Sequence, residues 1–207
     1  MKKLLCLLSA FAVLIISGCS SKPSEAPLFE KYVAEGTNYP VKMVWHEKIM
    51  WYDKSDSLSE DEITDSVSTY YIASPDTFCI SYALDEGTID ALYKDGVMYN
   101  ISHDEKTAFA SPSPSDRISI GYIPAEPEKW TLIEKGEAQY DGKTLLYETA
   151  ALEDTYFLTV YADPATRDIK YVSYGQGGPM VEFVEMTHSF DLRVFDIPED
   201  YDIVRMP

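Results

Sequence analysis

Few residues in this sequence are of a type and spacing that could do chemistry. The chain has three cysteines, Cys6, Cys19 and Cys79, three histidines, His46, His103 and His188, and 35 aspartates and glutamates. The histidines fall on separate segments with no recurring partner, and no pair of cysteines or histidines has metal-ligand spacing. There is no Gly-x-Ser-x-Gly elbow, no His-Glu-x-x-His motif and no phosphate loop. Gly175, Gly177 and Gly178 do not qualify as one, because no helix follows whose positive N-terminal end would face a phosphate. The acidic stretch from Asp53 to Asp65 lacks the alternation and central glycine of an EF-hand loop, and reads as a solvated connection. Carboxylates are so abundant that no pair stands out as an acid–base couple. The sequence is therefore expected to be non-enzymatic, with no metal and no cofactor.

Cys19 remains, and its setting gives it a role. Leu4 to Ser17 is an apolar run of about 14 residues against the ~20 a membrane span needs. It follows Met1, Lys2 and Lys3 and ends in small residues, the pattern of a secretory signal. Ile16, Ser17, Gly18 and Cys19 resemble the lipobox of bacterial lipoproteins. That resemblance implies that the Cys19 thiol receives a diacylglyceryl group, that residues 1–18 are removed, and that the new amino terminus can be acylated too. Two or three acyl chains anchor where one does not, since each buried methylene is worth ~0.8 kcal/mol. The expected location is the outer face of the plasma membrane, or the outer membrane where the host has two.

Cleavage before Cys19 leaves 189 residues with 15 basic and 35 acidic side chains, a net charge of −20. Such a surface is repelled by nucleic acid and by anionic bilayers, so neither is an expected partner beyond the lipid anchor itself. The 16 tyrosines, 8 phenylalanines and 3 tryptophans exclude the low-hydrophobicity signature of disorder and suffice for a substantial core. In the mature chain Cys79 has no disulfide partner, and Thr77 to Ser81 reads as a strand that buries an inert thiol.

The elements follow from hydrophobic period. Residues 19–27 are the lipidated end and a tether holding the domain ~15 Å from the lipid. Leu28, Phe29, Tyr32 and Val33 are spaced as one face of a short helix stopped by Gly36. From Val41 the period becomes two: Val41, Met43, Trp45, Ile49 and Trp51 alternate with Lys42, His46 and Lys48. Strands are expected at Val67 to Ala73, around Phe78 to Leu84, and at Ile89 to Lys94, Val97 to Ile101 and Lys106 to Ala110, joined by tight turns such as Asp95-Gly96. That is an antiparallel meander. Ser111 to Glu128 breaks the rhythm with Pro112, Pro114, Pro124 and Pro127, and is either a lid or an inert crossover. Strands resume at Trp130 to Tyr140, Thr144 to Ala151, Tyr156 to Tyr161, Ile169 to Tyr174 and Met180 to Met186, with Asp141-Gly142 as a second hairpin turn.

The short helix, the meander and the proline-rich midpoint, with Gly136, Asp141-Gly142-Lys143, Tyr147-Glu148, Phe195, Ile197-Pro198 and Tyr201, resemble bacterial envelope lipoproteins of the LolA and LppX type. The resemblance covers most of residues 28–207. It implies a mainly β, α+β fold: one strongly curved antiparallel sheet, an incomplete open barrel, with a short helix and a loop over its concave side. It also implies an acyl-binding hollow, which Trp45, Ile49, Trp51, Phe78, Ile80 and Tyr82 would line, although the same residues serve equally as the core of such a sheet. A Pro-rich loop replaces the carrier's helical plug, and a lipid anchor argues against a diffusing shuttle. Two expectations follow: a tethered module that holds an apolar or lipid-like ligand, or an envelope protein-interaction or sensing lipoprotein with a filled core.

Overall fold

The computed structural model describes residues 26–50, 63–84, 87–113, 122–124, 126–153, 155–175 and 180–206. Outside them lie the expected signal segment, Cys19, most of the expected tether, Trp51, the acidic connection as far as residue 62, and residues 114–121 of the midpoint.

The described residues form one sheet of twelve strands. Its members are β1 (Val41–Met50), β2 (Ile63–Ser74), β3 (Thr77–Leu84), β4 (Gly87–Lys94), β5 (Val97–Ser102) and β6 (Thr107–Pro112), then β7 (Thr131–Tyr140), β8 (Lys143–Leu152), β9 (Tyr156–Ala162), β10 (Ile169–Tyr174), β11 (Met180–Thr187) and β12 (Asp202–Arg205). The spatial order is β12-β6-β5-β4-β3-β2-β1-β11-β10-β9-β8-β7. Two antiparallel meanders thus meet where β1 pairs with β11, and the edges β12 and β7 are not joined to each other. The Asp95-Gly96 and Asp141-Gly142 turns have positive φ at both residues, the conformation that lets a two-residue hairpin follow the twist of its strands.

The sheet curves around helix α1 (Leu28–Gly36), which buries Leu28, Phe29, Tyr32 and Val33. Phe78 and Tyr93, from one half of the sheet, join the same apolar cluster as Leu158, Val160 and Val172 from the other. A flat sheet would keep these apart, so the face they share is the concave one. A nine-residue helix is marginal alone, and it is this burial, ~1.5–3 kcal/mol for each large side chain, that holds it. Pro27 offers no side-chain cap; instead the buried Glu148 carboxylate of β8 accepts a hydrogen bond from the Phe29 N–H at 3.0 Å. This puts negative charge at the positive end of the helix.

The opposite face carries a second core over β2 to β6. Cys79, Leu92, Ile101 and Ala108 pack against Phe195, with Phe190, Ile197 and Tyr201 around them. The C-terminal segment is held there by His103, whose Nδ1 is 2.9 Å from the Tyr201 hydroxyl and whose Nε2 is 2.8 Å from Asp90 Oδ2. Cys79 is buried as expected, and burial pushes its thiol up to about 12. One feature departs from the all-antiparallel expectation: after Tyr201 the chain adds β12 alongside β6 in parallel.

Candidate functional site

Alternation places Val41, Met43, Trp45 and Glu47 of β1 on the concave face. Register sets Trp45 opposite Ser68 and Glu47 opposite Ser66 on β2. Ser68 in turn faces Tyr82, and Tyr70 faces Ile80, on β3. Two adjacent cross-strand pairs therefore bring one indole, one carboxyl and two hydroxyls together. Trp45, Ser66 and Ser68 are 0, 1 and 0 % exposed. Trp45 Nε1, Glu47 Oε1, Ser66 Oγ and Ser68 Oγ have no partner at full hydrogen-bond geometry, although Ser68 and Tyr122 lie near enough to the Glu47 carboxyl to act on it as loose hydrogen-bond donors. A buried polar group left unpaired costs about 1–3 kcal/mol, so Trp45 Nε1 and Ser66 Oγ, beside a loosely held Glu47–Ser68 pair, make a cluster that the fold satisfies only in part.

Tyrosines surround it. Burial raises the pKa of Glu47, an effect that the facing Tyr122 and Ser68 partly offset. Tyr70, Tyr82 and Tyr122 are raised as well, first by burial and then by the Glu47 charge. Tyr122 belongs to a strap, Tyr122–Ile123–Pro124, which with Ser113 is all that the structure describes between β6 and residue 126. Tyr32 donates its hydroxyl hydrogen bond to the Tyr122 carbonyl at 3.0 Å, and Ile123 sits so close to Gly36 that a Cβ there would overlap Ile123 Cδ1. The midpoint thus crosses the concave side at this place.

Of the expected ligand residues, Trp45, Phe78, Ile80 and Tyr82 share the concave face. Trp45 and Phe78 are fully buried core: the indole makes edge contacts with Tyr122 at 5.0 Å and Phe183 at 4.9 Å, and Phe78 stacks on Tyr93 at 5.2 Å. Ile80 packs against that core in part. Ile49 pairs with Thr64 in the β1–β2 ladder; Trp51 and Cys19 lie outside the described residues. Around Trp45 and Phe78 the concave side is filled, by α1, the strap and Phe183. Glu47, Ser66, Ser68, Tyr70 and Tyr122 were not anticipated. The signal was present for the first: Glu47 interrupts an otherwise apolar alternation from Val41 to Ile49.

A second concavity of about 530 Å³ lies on the outer face near the open edge β7. Its lining includes Glu134, Glu137, Tyr147, Phe157, Thr159 and Tyr161. The Tyr147 hydroxyl donates to Glu134 Oε1 at 2.6 Å, and its ring covers Gly136. The C-terminal segment covers β2 to β6 but not this half of the outer face.

No protein-family model and no curated protein sequence matches the chain. Among solved structures it is similar to an uncharacterized conserved protein from Thermus thermophilus, with 11 % identity and a TM-score of 0.48 over 86 % of this chain and 97 % of that one. It is also similar to MucB, with 10 % identity and a TM-score of 0.42 over 85 % of this chain and 64 % of MucB.

Proposed function

We propose that this protein is a lipid-anchored extracytoplasmic binding module, not an enzyme, that takes an apolar, lipid-like ligand on the concave side of its sheet. The observation that carries the reading is the set of four buried polar atoms around Trp45 that lack a partner at full hydrogen-bond geometry, on a face that is otherwise aromatic and aliphatic. An amphiphile fits both parts, with its polar end satisfying the cluster and its chain lying against the apolar wall. Since the concave side is filled around Trp45, the chain takes the place of the strap, which lifts from Gly36 and Tyr32. Anchoring through Cys19 keeps the module at one membrane face. Native mass spectrometry of the domain purified from a bacterial envelope tests this: the reading expects an adduct that organic solvent extracts as lipid. A bare mass, persisting after incubation with an envelope lipid extract, overturns it.

A second reading, an envelope protein-interaction or sensing lipoprotein, is favoured by the acidic, tyrosine-lined groove beside the unpaired edge of β7. Photo-crosslinkers at Ile133 and Glu137 in intact cells test it. A discrete protein adduct at these sites, absent from a crosslinker at Asp76, supports it; equal or no trapping removes it.

A further inference from the structure

We propose that Trp45, Glu47, Ser66 and Ser68 form a headgroup subsite selective for a neutral, hydroxylated amphiphile such as a monoacylglycerol; this rests on the concave-side reading above and names its ligand class. The selectivity follows from counting donors and acceptors. The indole N–H only donates, so whatever meets it must accept. A serine hydroxyl donates or accepts. The Glu47 carboxylate only accepts, so its partner must donate. An alkylammonium satisfies Glu47 but has no acceptor for the indole. An acyl carboxylate or phosphate accepts from Trp45 and the serines but has nothing to donate, and it enters a site that already holds Glu47 in a strongly acidic protein with no basic residue among these four or the neighbouring Tyr70, Tyr82 and Tyr122. An alcohol both donates and accepts, and a diol reaches two partners at once. Only this class satisfies every orphaned atom in its ordinary ionisation state.

The geometry adds to this. Trp45–Ser68 and Glu47–Ser66 are neighbouring cross-strand pairs, so their polar atoms sit on a patch two residues square, the size of a glycerol head. Three of the four residues are almost fully buried. None of them is needed to hold β1 to β2, because the ladder between these strands is made by the backbone.

Three amphiphiles with the same twelve-carbon chain separate the possibilities: monolaurin, laurate and dodecylammonium, titrated below micelle formation into the domain and followed by calorimetry and tryptophan fluorescence. Monolaurin is expected to bind at least tenfold more tightly than either ion. Ser66→Ala is expected to weaken monolaurin about tenfold, the effect of one lost buried hydrogen bond, while leaving the ligand-free domain at least as heat-stable, because an unpaired buried hydroxyl has been removed. Glu47→Gln removes the charge and adds a donor, so it is expected to narrow the gap between monolaurin and laurate and to leave dodecylammonium the weakest. Equal affinity for all three, preference for either ion, or Ser66→Ala and Ser68→Ala both without effect on monolaurin overturns the subsite while leaving concave-side lipid binding in place. If none of the three binds and the purified protein carries no lipid, the subsite and the reading beneath it fall together.

Discussion

Glu148 and Glu47 are both carboxylates on the concave face, and their surroundings give them opposite roles. Glu148 accepts from the Phe29 N–H and replaces the cap that Pro27 cannot supply. Glu148→Ala is expected to lower stability by about 1.5–3 kcal/mol, the range for a hydrogen bond to a charged group, measured by chemical denaturation. Glu47 is held unfavourably: burial raises its pKa above the ordinary 4.5. Between that value and the raised one the folded chain keeps a proton that the unfolded chain has lost, so this residue makes stability fall as pH rises through the window. Glu47→Gln removes the penalty. The variant is expected to match wild type below the window and exceed it above, and a difference independent of pH across the carboxylate range contradicts the assignment. Neither role was legible in the sequence, since each depends on which strand lies opposite. The break at Glu47 in the apolar alternation of β1 was visible, but its partners Ser66 and Ser68 become neighbours only through the β1–β2 register.

At the scale of elements, the strap and the C-terminal segment each fasten one face. Gly36 admits Ile123 where a methyl group would collide, so Gly36→Ala is expected to dislodge the strap. Tryptophan fluorescence should then report a more polar Trp45, and proteolysis should cut sooner between β6 and β7; unchanged spectra and cleavage contradict the seating. On the outer face Phe195→Ala is expected to cost about 3–5 kcal/mol, as for any large aromatic core truncation. Helix α1, the eleven strands from β1 to β11 and both Asp-Gly hairpins follow from hydrophobic period and turn chemistry, because these signals are local. Strand β12 does not. Its four residues are all exposed and carry no alternating burial; they pair with β6 only because His103 and Lys106 hold Tyr201 and Asp200 beside it, the latter at 2.7 Å. The parallel edge is thus a product of tertiary contacts separated by about a hundred residues of chain.

For the whole molecule, the Arg167 side chain donates to the Ala26 carbonyl at 2.9 Å and Lys31 donates to the Arg167 carbonyl at 3.3 Å. They fasten the beginning of the domain to the β9–β10 turn, at the end of the sheet where β1 starts. Glu47 and Ser66 lie along β1 and β2 away from that end. The cluster therefore lies towards the end of the sheet opposite to the start of the described domain. In cells fed radiolabelled palmitate the protein is expected to take up the label, and Cys19→Ala to abolish it; a label retained in the variant contradicts attachment at Cys19. The central claim is that the orphaned polar cluster contacts a ligand, and its most direct test is the indole N–H spectrum of the ¹⁵N-labelled domain titrated with monolaurin. Three tryptophans give three resonances. The Trp45 signal is expected to move most, and its exchange with water to slow at saturation. A Trp45 signal that stays in place while monolaurin binds contradicts the claim.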